Sequence, residues 1–299
     1  MAIPTISPYS MPIEADLPQN RVLWQADPKR SVLLIHDMQQ YFLNAYQLDA
    51  SPITELIKNI QILKNECKKL GIPVVYTAQP GDQDPRDRAL LTDFWGTGLE
   101  DKLEQTKVVD ELSPDKEDTV LTKWRYSAFK RSELLNIMRN QGRDQLIICG
   151  VYAHIGCLLT ASDAFMQDIQ SFFVADAVAD FSLEDHQMAI KYASSRCAVT
   201  ITTQNLLSSM KQEISGTSKD NAELMEEKLL ETVCNLLELS PSEIDEEDNL
   251  IEKGLDSIRI MSLVETLRKN GLDISFVDLA DQPTLSYWKK IIAREKQTV

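Results

Sequence analysis

Three polar residues in the first half of this 299-residue chain stand where acid–base chemistry on an anion could be done. Asp37 closes the apolar run Ser31-Val-Leu-Leu-Ile-His36, Gln79 follows Ile72–Tyr76, and Lys123 follows Thr119–Leu121. A carboxyl group can give or take a proton, and a lysine beside it can pair with it or hold an anionic ligand. The loop after Gln79 adds Arg88, whose planar fork suits a carboxylate, and Trp95, which suits a wall or lid. Taken singly, each has an ordinary explanation: a helix cap for Asp37, a surface charge for Arg88, a core residue for Trp95. A different nucleophile stands near the other end, Ser257 in Gly254-Leu-Asp-Ser-Ile, at the start of a predicted helix.

The elements that must position these residues are readable. Ser31–His36 has the unbroken apolar composition of a strand buried on both faces. Ile53 to Leu70 carries apolar residues at helical spacing and is closed by Gly71. Strands are predicted over Ile72–Tyr76, Thr119–Leu121, Gln145–Cys149, Ser171–Ala175 and Ala198–Thr202, and helices over Leu134–Met138, Gly156–Met166 and Asp185–Ser194. This alternation predicts right-handed βαβ units: a Rossmann-like three-layer α/β domain with a mainly parallel sheet. Asp37, Gln79, Lys123 and the segment Gly150–Gly156 then share one sheet edge, where open α/β sheets bind ligands. A small four-helix bundle is predicted to follow. The boundaries are residues 1–211, a polar linker at 212–220, and 221–299.

Composition excludes several functions. No GxGxxG follows the first strand and no GxxxxGK[ST] occurs, so nucleotide binding has no support. Five cysteines and three histidines show no CxxC, HxH or HExxH spacing, so no metal site is expected. The net charge of −15 argues against nucleic acid and anionic membranes. Residues 221–299 hold 17 acids and 9 bases, net −8, so about half the charge sits in the last quarter and suggests a basic partner. The first twenty residues lack an apolar h-region, and the scattered cysteines read as thiols of a cytoplasmic protein.

Leu34-Ile-His-Asp37-Met-Gln, Tyr76-Thr-Ala-Gln79-Pro, Asp87-Arg88-Ala-Leu-Leu, Lys123-Trp-Arg-Tyr-Ser-Ala-Phe129 and Gly150-Val-Tyr-Ala-His-Ile-Gly156-Cys together resemble the isochorismatase family. The wider superfamily of cysteine hydrolases uses an Asp, a Lys and a nucleophilic Cys. Here Gly156 stands at the nucleophile's position, as in the true isochorismatases. The resemblance implies hydrolysis of the vinyl ether of isochorismate without a covalent intermediate or a metal or redox cofactor. Asp37 would be the general acid, with Lys123 and Gly156 beside it. Arg88 and Gln79 would bind carboxylates, and Phe42, Trp95 and Tyr152 would wall the pocket. A non-proline cis peptide near Gly150–Tyr152 is also implied. Cys157, one residue late, would be rotated about 100° from the pocket at a helix start.

Gly-Leu-Asp-Ser-Ile, with Asn249-Leu250 shortly before it, resembles the phosphopantetheine attachment site of carrier proteins, with Ser257 bearing the 4'-phosphopantetheine arm. Met261, Phe276 and Ala280 would form a docking surface around it. The two parts together resemble the hydrolase–aryl carrier proteins of catechol siderophore synthesis. That implies a phosphopantetheinyl transferase, a 2,3-dihydroxybenzoate–AMP ligase and a condensation domain of a nonribosomal peptide synthetase as partners, with a homo-oligomer through the first domain also open. Two rival readings remain at this point: a nicotinamidase-like amidase using Cys157, and an inactive first domain serving only as a scaffold for the carrier.

Overall fold

In the computed structural model, which describes residues 3–215, 229–230, 232–234, 236–237, 239–269 and 274–296, the chain divides into two units, Met1–Glu213 and Ile214–Val299. The first contains β1 (Ser31–His36), α1 (Gln40–Leu43), α2 (Ile53–Lys69), β2 (Val74–Ala78), α3 (Pro85–Arg88), α4 (Leu91–Trp95), α5 (Leu103–Thr106) and β3 (Thr119–Thr122). It continues with α6 (Leu134–Asn140), β4 (Gln145–Val151), α7 (Leu158–Phe165), β5 (Gln170–Ala179), α8 (Leu183–Arg196), β6 (Ala198–Ile201) and α9 (Thr203–Ser215).

The six strands pair in the order β3-β2-β1-β4-β5-β6, all parallel. Successive side chains of β1 enter opposite layers: Leu33 and Ile35 pack with α2 and α9, Val32 and Leu34 with α6, α7 and α8. Both faces of the strand are covered, which is why it reads as a run of apolar residues rather than an alternation. The strand order reverses between β1 and β4, and the crevice that such a reversal opens lies at their carboxyl ends. Asp37 leaves β1 and Tyr152 leaves β4 at that point.

The segment from Gln79 to Asp118, expected as one long loop, folds into three short α-helices and the 3-10 turn Asp110–Leu112, and is pinned from below. Lys64 and Lys68 of α2 form ion pairs with Asp115 and Asp118. The N-terminal arm lies on the unit: Ile6 bridges to Tyr46, and the Tyr9 hydroxyl accepts from the Asp180 amide at 2.8 Å.

One boundary needs correction. Residues 212–215, read as the start of the linker, are the last turn of α9. Lys211, Gln212 and Glu213 are good helix formers, and the helix runs through Ser215. The remaining linker residues, 216–220, and the first part of the helix expected after them, 221–228, lie outside the described residues.

The second unit packs Leu229, Val233, Leu250, Leu263 and Trp288 among others into its own core. Its helices Ser257–Lys269, Phe276–Asp281 and Leu285–Lys296 surround Trp288, whose indole N–H donates to the Leu279 carbonyl at 2.9 Å. Among the described residues no helix is long and apolar enough to cross a membrane.

Candidate active site

The first-unit residues expected at the site line one pocket: Asp37, Phe42, Gln79, Arg88, Trp95, Lys123, Tyr152 and Gly156. Asp37, Gln79, Lys123 and Tyr152 follow the ends of β1, β2, β3 and β4, so the sheet register fixes their spacing; Phe42 comes from α1, Gly156 from the turn after β4, and Arg88 and Trp95 from the lid segment.

Asp37 sits at φ 50°, a left-handed conformation that Asp tolerates better than most residues. It is 5% exposed, and its carboxylate is held from three sides. Oδ1 accepts from the Thr77 hydroxyl at 2.6 Å, and Oδ2 accepts from Lys123 Nζ at 3.0 Å and from the Gln79 amide at 3.4 Å. Burial pushes this carboxyl up, but the Lys123 ammonium, His36 and the Thr77 hydroxyl outweigh burial and hold it below the ordinary carboxylate value.

Arg88 is buried rather than displayed as a surface charge, at 4% exposure. Its Nε donates to the Gly96 carbonyl at 2.5 Å, while Nη1 is buried with no hydrogen-bond partner. No carboxylate pairs with this guanidinium among the described residues. A buried cation with a spare donor at the wall of a pocket has the chemistry to hold an anion. Gly98, at φ 86°, gives it room, because a Cβ there would lie 2.4 Å from Nη1.

The apolar wall is built from aromatic contacts. Tyr152 donates its hydroxyl hydrogen to the Phe42 carbonyl at 2.9 Å, and its ring lies 4.3 Å from that of Phe181. The Trp95 indole N–H donates to the Tyr126 hydroxyl at 2.7 Å, which ties the lid helix α4 to the segment after Lys123. The Val151–Tyr152 peptide is cis, in the stretch the resemblance indicated.

Thr77, Tyr126, Phe181 and Arg125 were not foreseen. Arg125 lines the pocket beside Lys123, with Nη1 donating to the Asp87 and Trp124 carbonyls. A signal existed for Thr77 and Arg125, since both lie in motifs already quoted, two residues from Gln79 and Lys123. Phe181 carried none, because β5 extends to Ala179, beyond the Ala175 at which its apolar run stops.

Gly156 lies in the π-helical turn Ala153–Cys157. Cys157 points instead into the core with Leu158, Ala161 and Val178, and burial pushes its thiol well above the ordinary value. A thiol of that kind is inert as a nucleophile, which removes the basis of the amidase reading.

In the second unit Asp256 caps the helix, its Oδ1 accepting from the Arg259 amide at 2.9 Å. Ser257 is therefore the first helical residue and is exposed, with no partner for its hydroxyl among the described residues. Met261, one turn on, is 48% exposed. Phe276 and Ala280 are half-buried, Phe276 packing against the core.

Residues 31–205 match the isochorismatase domain family and residues 227–289 the phosphopantetheine attachment site family. The chain is 54% identical to the isochorismatase of Bacillus subtilis (strain 168), covering 100% of this chain and 98% of that one. It is 48% identical to enterobactin synthase component B of Escherichia coli (strain K12), covering 99% of each. Among solved structures, a cysteine hydrolase from Pseudomonas syringae pv. phaseolicola superposes with a TM-score of 0.59 at 21% identity, over 65% of this chain and 98% of that one, a likeness of fold.

Proposed function

The chain belongs to the isochorismatase family, and from that premise we propose that its first unit hydrolyses isochorismate with Asp37 as general acid, while its second carries an aryl group on a phosphopantetheine arm at Ser257. The observation that carries the first part is the pairing of Asp37 with Lys123 next to a buried Arg88 that has an uncommitted donor.

Isochorismate has two carboxylates and an enolpyruvyl ether. Arg88, with Gln79 and Lys123, supplies donors for the carboxylates, and the aromatic wall excludes water from the rest. Asp37 gives its proton to the terminal methylene carbon of the vinyl ether, whose π electrons form the new C–H bond. Water adds to the resulting oxocarbenium carbon. The hemiketal then breaks the bond between its central carbon and the ether oxygen, which stays on the ring and takes the proton of the hemiketal hydroxyl as that hydroxyl becomes the pyruvate carbonyl. Pyruvate and 2,3-dihydro-2,3-dihydroxybenzoate are left, and the proton lost by the attacking water restores the acid.

The acid must be protonated when the substrate is seated, whereas in the free protein Lys123 and its neighbours hold Asp37 below the ordinary carboxylate value. Entry of two carboxylates reverses the balance. The substrate engages Lys123, its own charge disfavours a second anion beside it, and closure removes water, so Asp37 rises and takes up a proton. Gly156 contributes space and a backbone amide rather than a nucleophile.

For the second unit, an exposed serine at a helix start, preceded by the acid-rich segment 243–256, suits modification by an enzyme with a basic face. The cargo consistent with the first unit's product is 2,3-dihydroxybenzoate, formed from it by a dehydrogenation. Its loading and transfer would require an adenylating ligase and a condensation domain.

The test uses the full-length protein. Incubation with isochorismate should release pyruvate, and treatment with coenzyme A and a phosphopantetheinyl transferase should raise the intact mass by one phosphopantetheinyl group. No pyruvate sinks the hydrolase reading, and no mass gain sinks the carrier reading.

A further inference from the structure

Glycine is usually required where the backbone turns left-handed, but Gly156 is not among the positive-φ glycines of the chain. Its backbone would accept an L side chain. The obstacle is a neighbour: a Cβ at 156 would lie 2.1 Å from His36 Cε1 and 2.8 Å from its Nε2. The imidazole is 1% exposed and is held in place. Its Nδ1 is 2.9 Å from the Val151 carbonyl, which can only accept, so Nδ1 carries the hydrogen and Nε2 a lone pair. Nε2 faces the Thr160 hydroxyl at 3.5 Å, and that oxygen accepts from the Ala128 amide at 2.9 Å. One ring thus connects the end of β1 to the turn after β4 and, through Thr160, to the segment that follows Lys123. Its Nδ1 edge lies 3.7 Å from Asp37 Oδ2.

We propose that His36 is the positioning and specificity-determining residue of this pocket: its imidazole occupies the volume that a side chain at 156 would need, and its Nδ1–H holds the Val151–Gly156 turn at a fixed distance from Asp37. The inference rests on the hydrolase reading for its kinetic half and on packing alone for its steric half. A thiol at 156 and an imidazole at 36 are mutually exclusive in this geometry. Gly150 grips the same residue from the other side, since at φ 113° its Cβ would lie 2.1 Å from the His36 carbonyl oxygen. With burial as the main cause, followed by Lys123, the ring stays neutral at pH 7, its pKa pulled down to about 4.

The test is a double-mutant cycle on the full-length protein. Gly156→Ala overpacks the wild-type site and should lower Tm by about 5 °C or more. In a His36→Ala background the same change should cost less than about 1 °C, because the clashing atoms are gone. His36→Ala alone should lower kcat by about 30-fold or more with KM within about twofold, since the turn shifts relative to the acid. His36→Asn, whose amide can still donate to the Val151 carbonyl while lacking Cε1 and Nε2, should recover most of that loss and should also tolerate Gly156→Ala. It provides the cycle if His36→Ala does not fold. An equal Tm penalty for Gly156→Ala in both backgrounds overturns the steric half, and equal kcat values for His36→Ala and His36→Asn overturn the positioning half. Absence of pyruvate release by the wild-type protein would instead sink the hydrolase reading, and the Tm cycle would still be readable.

Discussion

The strand-end pocket and the Ser257 surface solve opposite problems. In the pocket the charged groups are buried and hold one another: Asp37 against Thr77 and Lys123, Arg88 against the lid carbonyls. Around Ser257 little is held. The serine is exposed, and Met261, one helical turn on, is 48% exposed. A group that must change its own protonation needs surroundings that control its field, and these have to be dry and fixed. A group that is to be modified and then handed between enzymes needs access, with adaptable side chains such as Met261 around it. The chemistry of the first unit is therefore legible inside its own structure, whereas that of the second depends on partners.

Four measurements break or sharpen this contrast. The largest effect belongs to the exposed site: Ser257→Ala should abolish the phosphopantetheinyl mass gain completely, with pyruvate release unchanged. Residual labelling would move the attachment elsewhere. Asp37→Asn should reduce kcat for pyruvate release by about 10³-fold while leaving the mass gain intact, because the amide keeps the shape but has no proton to give. A loss below about tenfold would shift the acid role to another group.

Arg88→Met keeps much of the volume and removes the charge. It should raise KM by about 10- to 100-fold, the loss of a charged hydrogen bond to a substrate carboxylate, with a smaller change in kcat. An unchanged KM would make the guanidinium a brace for the lid.

The smallest effect is on stability. Burial lowers the pKa of both His36 and His186 to about 4. Between pH 6.5 and 4 the unfolded chain binds more protons at these sites than the folded one, so their contribution falls as the pH drops through that window. His154 works the other way: despite burial, Asp180 raises it. Thermal unfolding should therefore come about 5 °C lower at pH 5 than at pH 7, and His36→Asn should flatten that slope. A pH slope left unchanged by His36→Asn would mean that His36 does not carry this loss.

The sequence revealed the sheet because its strands are buried on both faces, and such strands are continuous apolar runs bounded by Gly, Pro or charge. It revealed the site because strand ends in a parallel sheet converge on one edge. What it hid was local. Nothing in Asp87-Arg88-Ala indicates that Arg88 turns inward, because the carbonyls receiving it, Gly96 and Trp95, belong to a helix end placed only by tertiary packing. Phe181 reaches the pocket because β5 continues through Asp176, a residue whose charge masks the strand. His36 looked like the polar end of a strand, and its place against Gly156 needs β1 and β4 side by side before it can be noticed. In the second unit the helix start at Ser257 was plain from its capping Asp, while residues 221–228 of the helix expected before it are not among those described.

Two glycines closing on one histidine, Gly156 on its ring and Gly150 on its backbone, also bear on how such a pocket could change over generations. Gaining a sulfur at 156 while the ring is present jams the turn, and trimming the ring first leaves the turn without its anchor. Only a replacement that keeps the donor while shedding the rest of the ring, as asparagine does, leaves the turn anchored and the space open, so the route to a side chain at 156 is narrow.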